Sequence, residues 1–310
     1  MPIASLIRLL LLAALWGGSF LFMRIAAPVL GPSVTAFVRV LLGALGLYAW
    51  IRLRRIPLQF QGKWRSALLL GCINSGLPFL LFSIAAKSLP AAQSAILNAT
   101  TPLIGVVVGA LLFQERITWL RVAGVLLGLL GVAVLIGDGI QQPGNGAVGG
   151  IVACLAATSC YAFAGFLTVR WISRRGGLDS RLVALGSQVG AALLLLPFAA
   201  VQLVLQPIAL GRVGLNVWLS ILGVGLLCTS MGYVLYFRLI ADEGALKALT
   251  VTFLIPLFGA LWGWLALDET LGLPHLLGGM LIAAALLLVI RNSDSAAASR
   301  PDSALPKVEK

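Results

Sequence analysis

The stretch PAAQSAILNATTPLIGVVVGALLFQERITWLRVAGVLLGLLGVAVLI, residues 90–136, has an echo in the same chain. Laid without a gap on residues 244–290, it places Pro102 on Pro256, Gly105 on Gly259, Gly109 on Gly263, Glu115 on Glu269 and Gly124 on Gly278. The same register reaches back to Trp64 on Trp218 and Gly71 on Gly225. Apolar matches come cheaply in so hydrophobic a chain, so the Pro, Glu, Trp and Gly matches carry the weight. They indicate a repeat of about half the chain, and such a repeat sets the architecture.

Composition says what kind of repeat it is. Mean hydropathy is +1.04, 60% of residues are hydrophobic and 10% charged, whereas a soluble domain carries roughly a quarter charged residues. The fold class is therefore an all-α polytopic membrane protein. Ten apolar stretches are read as transmembrane helices: 6–27, 32–51, 64–86, 90–113, 119–137, 148–171, 179–201, 214–238, 244–267 and 273–291. Most have the roughly 17–25 residues needed to cross the hydrocarbon layer.

A net charge of +12 would suggest a nucleic-acid partner in a soluble chain. Here the positions of the charges decide otherwise. With the N-terminus inside, only Arg24, Arg39, Lys87 and Arg212 of the 22 basic residues fall on the outer side. That bias places both termini in the cytoplasm. The basicity belongs to topology, and no nucleic-acid partner is expected. The expected location is a bacterial inner (plasma) membrane, with the lipid bilayer as surroundings and a monomer as the simplest state. Residues 8–23 are too long an apolar run, with too poor a cleavage site, for a signal peptide. Cys72, Cys154, Cys160 and Cys228 lie inside spans without metal-ligand spacing, and no metal or cofactor is expected.

The Gly-rich GDGIQQPGNGAVGG at 137–150 reads as a flexible link between halves. The domain organisation is thus 1–140, a first five-span repeat; 141–292, a second; and 293–310, a polar, disordered cytoplasmic tail. Five is odd, so the second repeat enters the membrane inverted. Inverted repeats place a site between the halves near the midplane, and rocking about it gives alternating access.

WGGSFLFMRIAAPVLGPSVTAFVRVLLGAL (16–45), LLFQERITWLRVAGVLLGLLGVAVLI (111–136) and the weaker copy LALDETLGLPHLLGGMLIAAALLLVI (265–290) resemble the EamA-type transporters of the drug/metabolite transporter superfamily. The resemblance covers about residues 6–291, with Arg39 at the family's span-2 arginine and Thr270 where the second junction would carry an arginine. It implies a carrier of small metabolites, amino acids prominent among them, often exported. It also implies a core of spans 1–4 and 6–9, with spans 5 and 10 peripheral.

The residues themselves suggest where such a site would be. Pro78, Pro102 and Pro256 each leave the carbonyl four residues earlier without its helical partner, namely those of Asn74, Asn98 and Thr252. These prolines are expected to kink the spans and act as hinges, unless nearby side chains re-satisfy the backbone. Polar and aromatic residues cluster on the same spans. Trp16, Ser19, Phe20 and Met23 share a face of span 1. Asn74, Phe79, Phe82, Asn98 and Thr101 lie on spans 3 and 4. Tyr161, Ser230, Tyr233 and Thr252 lie on spans 6, 8 and 9. Trp16, Ser19, Asn74, Phe79, Phe82, Asn98, Thr101, Tyr161, Ser230, Tyr233 and Thr252 are the expected substrate-binding set, since small-molecule sites are concave, aromatic and sparingly polar.

Charge narrows the substrate. All ten acidic residues lie at span ends or in loops, where an acid at depth would be expected for cationic substrates or proton coupling. Arg39 sits about seven residues, roughly 10 Å, into span 2; it is read first as snorkelling or structurally paired, with a substrate carboxylate as the other reading. Glu115 and Glu269 are read as structural acids complementing the dipoles of the helices that follow them. Gly124, Gly128 and Gly131 are read as a close-packing face. The expected function is a carrier of small neutral or zwitterionic metabolites, foremost amino acids with hydrophobic or aromatic side chains, by export or facilitated diffusion. Proton-coupled efflux of drug-like or nucleobase-type solutes stays open. An intramembrane enzyme is disfavoured, because a single histidine, His275, and the lack of acid pairs at depth leave no catalytic constellation.

Overall fold

In the computed structural model a helix occupies each of the ten expected positions, and residues 2–113, 118–141, 146–243 and 251–298 are described. Span 1 is α1 (Ile3–Leu30) and span 2 is α2 (Pro32–Leu53). Span 3 is α3 (Trp64–Gly71), a π-helical segment Cys72–Gly76, and α4 (Leu77–Ala85). Span 4 is α5 (Ala91–Asn98) and α6 (Thr101–Phe113); span 5 is α7 (Trp119–Gln141). The second half contains α8 (Ala147–Trp171) and α9 (Ser180–Leu205), spans 6 and 7. Span 8 is α10 (Leu215–Leu222), a π-helical segment Gly223–Met231, and α11 (Gly232–Glu243). Spans 9 and 10 are α12 (Val251–Leu267) and α13 (Leu273–Ala298). Seven spans are long and apolar enough to cross a bilayer by themselves; the apolar stretches of spans 5, 9 and 10 are shorter. No strand occurs among the described residues, as expected where each backbone polar group must be satisfied within its own segment.

Two boundaries differ from expectation. The link between halves is shorter, because α7 extends to Gln141 and α8 starts at Ala147 after Gly146 at φ +130°. The tail expected to be disordered from residue 293 begins as helix, α13 continuing to Ala298.

The packing relates the halves. Span 1 packs on span 9 as span 6 does on span 4. Span 2 packs on span 8 as span 7 does on span 3, and span 1 on span 8 as span 6 does on span 3. The contacts 2–7, 4–9 and 5–10 map onto themselves. Every one of these pairs survives exchange of the two halves, the pattern of an internal two-fold. The glycines that recur in sequence sit at these seams. A Cβ on Gly71 would come 2.0 Å from the Ser187 carbonyl oxygen in span 7, and one on Gly225 would come 2.5 Å from Leu42 Cβ in span 2. Gly131 of α7 lies against Gly278 and Ile282 of α13, as the close-packing face predicts.

The turn into span 2 is fastened across the halves. Gln202 of α9 donates to the Leu30 carbonyl at 2.7 Å and accepts from the Ser33 N–H at 2.9 Å. Gly31 between them has φ +77°, and any side chain there would collide with the Gln202 amide. This is a turn that requires glycine.

Candidate functional site

The two π-helical segments occupy equivalent positions in the repeat, with Ser75 in one register with Thr229. π-helical turns widen a helix locally and are frequent at functional sites. Each segment presents its hydroxyl to a polar side chain of the opposite half. Ser75 Oγ accepts from Gln188 Nε2 at 3.0 Å, and Thr229 Oγ1 accepts from Arg39 Nε at 3.3 Å. The halves therefore carry a two-fold-related polar pair, in which one member is a guanidinium and the other an amide. Thr229 and Gln188 both lie beside Gly43, one turn along α2 from Arg39. A Cβ there would come 2.6 Å from Thr229 Cγ2 and 3.4 Å from Gln188 Oε1.

Arg39 does not snorkel. It is 5% exposed; its Nη1 donates to Met23 Sδ at 3.1 Å, and its guanidinium carbon sits 3.6 Å over the Phe79 ring centroid. Among the described residues it pairs with no carboxylate. Its polar surroundings are Tyr161, Cys228 and Tyr233. A buried charge ordinarily needs a counter-ion. Here the cation rests on a ring face, a thioether and a hydroxyl.

Aromatic rings flank this cluster on both sides. Phe82 packs edge-to-face on Phe20 at 5.3 Å and lies 6.1 Å from Tyr161. On the other side Trp16 packs on Tyr236 at 5.3 Å and edge-on to Tyr233 at 6.4 Å, with Phe237 stacked beyond. Trp16 Nε1 donates to the Cys228 carbonyl at 3.1 Å, a π-segment carbonyl reached across the halves. Gly232 makes room for the indole.

The expected site residues thus divide. Phe79, Tyr161 and Tyr233 border Arg39, with Phe82 against Tyr161 and Trp16 against Tyr233. Asn74 is half-buried at the π segment, and Asn98 is half-buried at the end of α5. Three hydroxyls are engaged by backbone. Ser19 donates to the Trp16 carbonyl, Thr101 to that of Asn98, and Ser230 to that of Gly43. Thr252 is half-buried near the start of α12. The prolines behave differently from one another. Pro78 follows a π segment and Pro102 follows a true break at Ala99–Thr100. Pro256 sits within the continuous α12, so no break accompanies it. The Thr101–Asn98 bond re-satisfies a carbonyl that Pro102 frees. Sequence reasoning left Arg39 out of the binding set and did not single out Gln188. The available signal was a cation at depth in a chain with no acid at depth.

A groove of about 700 Å³ lies elsewhere. It is apolar, between spans 2, 3 and 7, lined by such residues as Leu45, Tyr48, Phe60, Trp64 and Leu193, and includes none of the expected site residues.

A sequence profile of the EamA-like transporter family matches residues 4–137 and 148–291. The chain belongs to this family. Relatives of the EamA-like chain include "Uncharacterized transporter YvbV" of Bacillus subtilis, 28% identical over 90% of this chain and 88% of the relative. The "Probable amino-acid metabolite efflux pump" of Salmonella typhimurium and that of Escherichia coli are each 25% identical over 90% of this chain and 92% of theirs. A solved structure titled "Crystal structure of protein" superposes with a TM-score of 0.61 at 20% identity, covering 94% of this chain and 99% of its own. It shares the fold. The EamA-like chain is accordingly a membrane transporter and not an enzyme.

Proposed function

We propose that this transporter is an alternating-access carrier exporting small neutral or zwitterionic metabolites, foremost amino acids with hydrophobic or aromatic side chains. The observation that carries the reading is the set of rings flanking a polar cluster at the seam between two-fold-related halves, with the charged groups otherwise at helix ends. Aromatic walls with few polar groups suit an apolar side chain, and a two-fold seam suits rocking. The names of the Salmonella and Escherichia relatives support the substrate class. The two profile matches support a division near residue 140. The bias of basic residues supports cytoplasmic termini in an inner membrane.

In this mechanism Trp16, Phe79, Phe82, Tyr161 and Tyr233 enclose the apolar part of the substrate, and Asn74 and Asn98 border its path. The break before Pro102 lets α6 swing against α5. Radiolabelled phenylalanine and leucine should show counterflow in proteoliposomes, which a carrier gives and a channel or receptor does not. Absence of counterflow across the twenty standard amino acids would sink the substrate assignment.

A further inference from the structure

The two-fold-related pair at the centre is asymmetric in charge, and that asymmetry has a chemical consequence. On one side Arg39 is buried, its Nε on the Thr229 hydroxyl and its Nη1 on the Met23 thioether, with no carboxylate paired to it among the described residues. On the other, Gln188 is fully buried; its Nε2 is held by Ser75, and its Oε1 has no partner in bonding geometry although the Tyr233 hydroxyl is a neighbour. One half therefore offers a cation without a counter-ion, and the other a neutral acceptor. Thr229 and Gln188 both flank Gly43.

Resting on the carrier reading above, we propose that the transported solute must carry a carboxylate, bound by the Arg39 guanidinium, while its N–H is taken by Gln188 Oε1. A guanidinium forks onto a carboxylate with two parallel charge-assisted bonds. A buried cation without a counter-ion gains most from such a ligand, because the anion replaces what desolvation removed. The acceptor side imposes less. Gln188 and Tyr233 are uncharged, so an ammonium finds no ion pair there, and an amide N–H would serve equally. Solutes of this site are apolar carboxylates with or without a free amino group: amino acids, their N-acyl forms and the deaminated acids. Amines lacking the carboxylate are excluded, since they would set a cation beside Arg39.

The test reads binding directly, apart from transport. Purified transporter in detergent is challenged with phenylalanine, N-acetylphenylalanine, 3-phenylpropionate, phenylalanine methyl ester and phenethylamine, with thermal stabilisation as the readout. The three carboxylates should stabilise the wild type, and the ester and amine should not. Arg39→Gln should weaken carboxylate binding by about ten- to a hundredfold, the usual worth of a buried charge-assisted hydrogen bond, with Arg39→Lys recovering part of it. Gln188→Glu, nearly isosteric, supplies Arg39 with a counter-ion and should abolish carboxylate binding. Equal stabilisation by phenethylamine and 3-phenylpropionate in the wild type would overturn the proposal whatever the variants do. If carboxylates bind as expected but no amino acid shows counterflow, the carrier assignment fails and the site assignment stands. If amino acids show counterflow but binding is indifferent to the carboxylate, the carrier assignment stands and the site assignment fails.

Discussion

Glu269 closes a contact between the halves that its own helix does not explain. Both carboxylate oxygens accept from the Ala91 N–H, at 3.0 and 2.9 Å, and Arg24 Nε lies 3.8 Å away. Its partner is thus the N-terminus of α5 in the first half, rather than the start of α13 that its position in sequence suggested. Gly263 permits the fold-back, since a Cβ there would come 2.3 Å from the carboxylate. Its echo Glu115 lies outside the described residues. An acid at a helix N-terminus is worth about 1 kcal/mol, so Glu269→Gln should lower thermal stability by about that amount. The Arg24 pairing, with Arg24 one-third exposed, should add about 1 kcal/mol or less in a double-mutant cycle. Asp179 gives a pH-dependent counterpart. It caps α9 by accepting from the Arg181 N–H at 2.9 Å and pairs with the Arg181 guanidinium. The Arg181 hydrogen bond holds the Asp179 carboxyl below its usual range. A depressed folded-state pKa stabilises above the unfolded value of about 3.9, and that contribution is lost as pH falls through the folded value. Asp179→Ala should therefore cost about 1 kcal/mol at neutral pH, and the difference from wild type should shrink on acidification below pH about 3.9. A gap that stays constant with pH would refute the capping charge.

Glycines decide how closely elements approach, and the two halves differ in this. Gly71 faces the Ser187 backbone at 2.0 Å from where a Cβ would be, and Gly17 faces Phe258 Cβ and the Gly259 N at 2.7 and 2.8 Å. Gly105, although the echo of Gly259, has nothing within 4 Å. Gly71→Ala must push spans 3 and 7 apart, at about 1–3 kcal/mol for overpacking. Gly105→Ala should be neutral or slightly stabilising, because alanine favours helix by about 1 kcal/mol where space allows. Thermal denaturation of the two variants side by side checks this; equal losses would mean that the span 3–span 7 seam is not close-packed. The recurrence of Gly105 and Gly259 was visible in sequence, but their different surroundings were not, because the neighbours come from other spans. The π segments were hidden for the same reason. Ser75 and Thr229 look like ordinary span hydroxyls until Gln188 and Arg39 reach them.

At the scale of the molecule, the ten spans and the repeat were legible because they rest on hydrophobic length and on Pro, Gly, Trp and Glu matches within the chain. The aromatic walls were legible in part, since the face Trp16–Ser19–Phe20–Met23 follows from helical spacing. What escaped was the centre. Arg39 looked like a charge near a span end, and only the packing of spans 1, 3 and 8 around it shows the side chain turned inward, onto Met23, Phe79 and Thr229. This placement bears on energy coupling. Among the described residues with side chains, the acids Asp179, Asp242, Glu243, Asp268 and Glu269 lie at helix ends or in the turns between helices, and Asp242 is occupied by Arg8 at 2.5 Å and Arg238 at 3.2 Å. On the carrier reading proposed above, no protein carboxylate among the described residues lies at the seam to exchange a proton during rocking, and an arginine guanidinium stays charged at physiological pH. A zwitterion moving past a permanently charged arginine carries no net charge of its own. The expected consequence is transport driven by the solute's gradient alone. One coupled proton would concentrate the solute about tenfold for each pH unit imposed across the membrane. In proteoliposomes with a one-unit gradient of either sign, radiolabelled phenylalanine should instead settle at equal concentrations on both sides. Accumulation approaching tenfold would require a titrating group at the seam and would overturn gradient-driven transport.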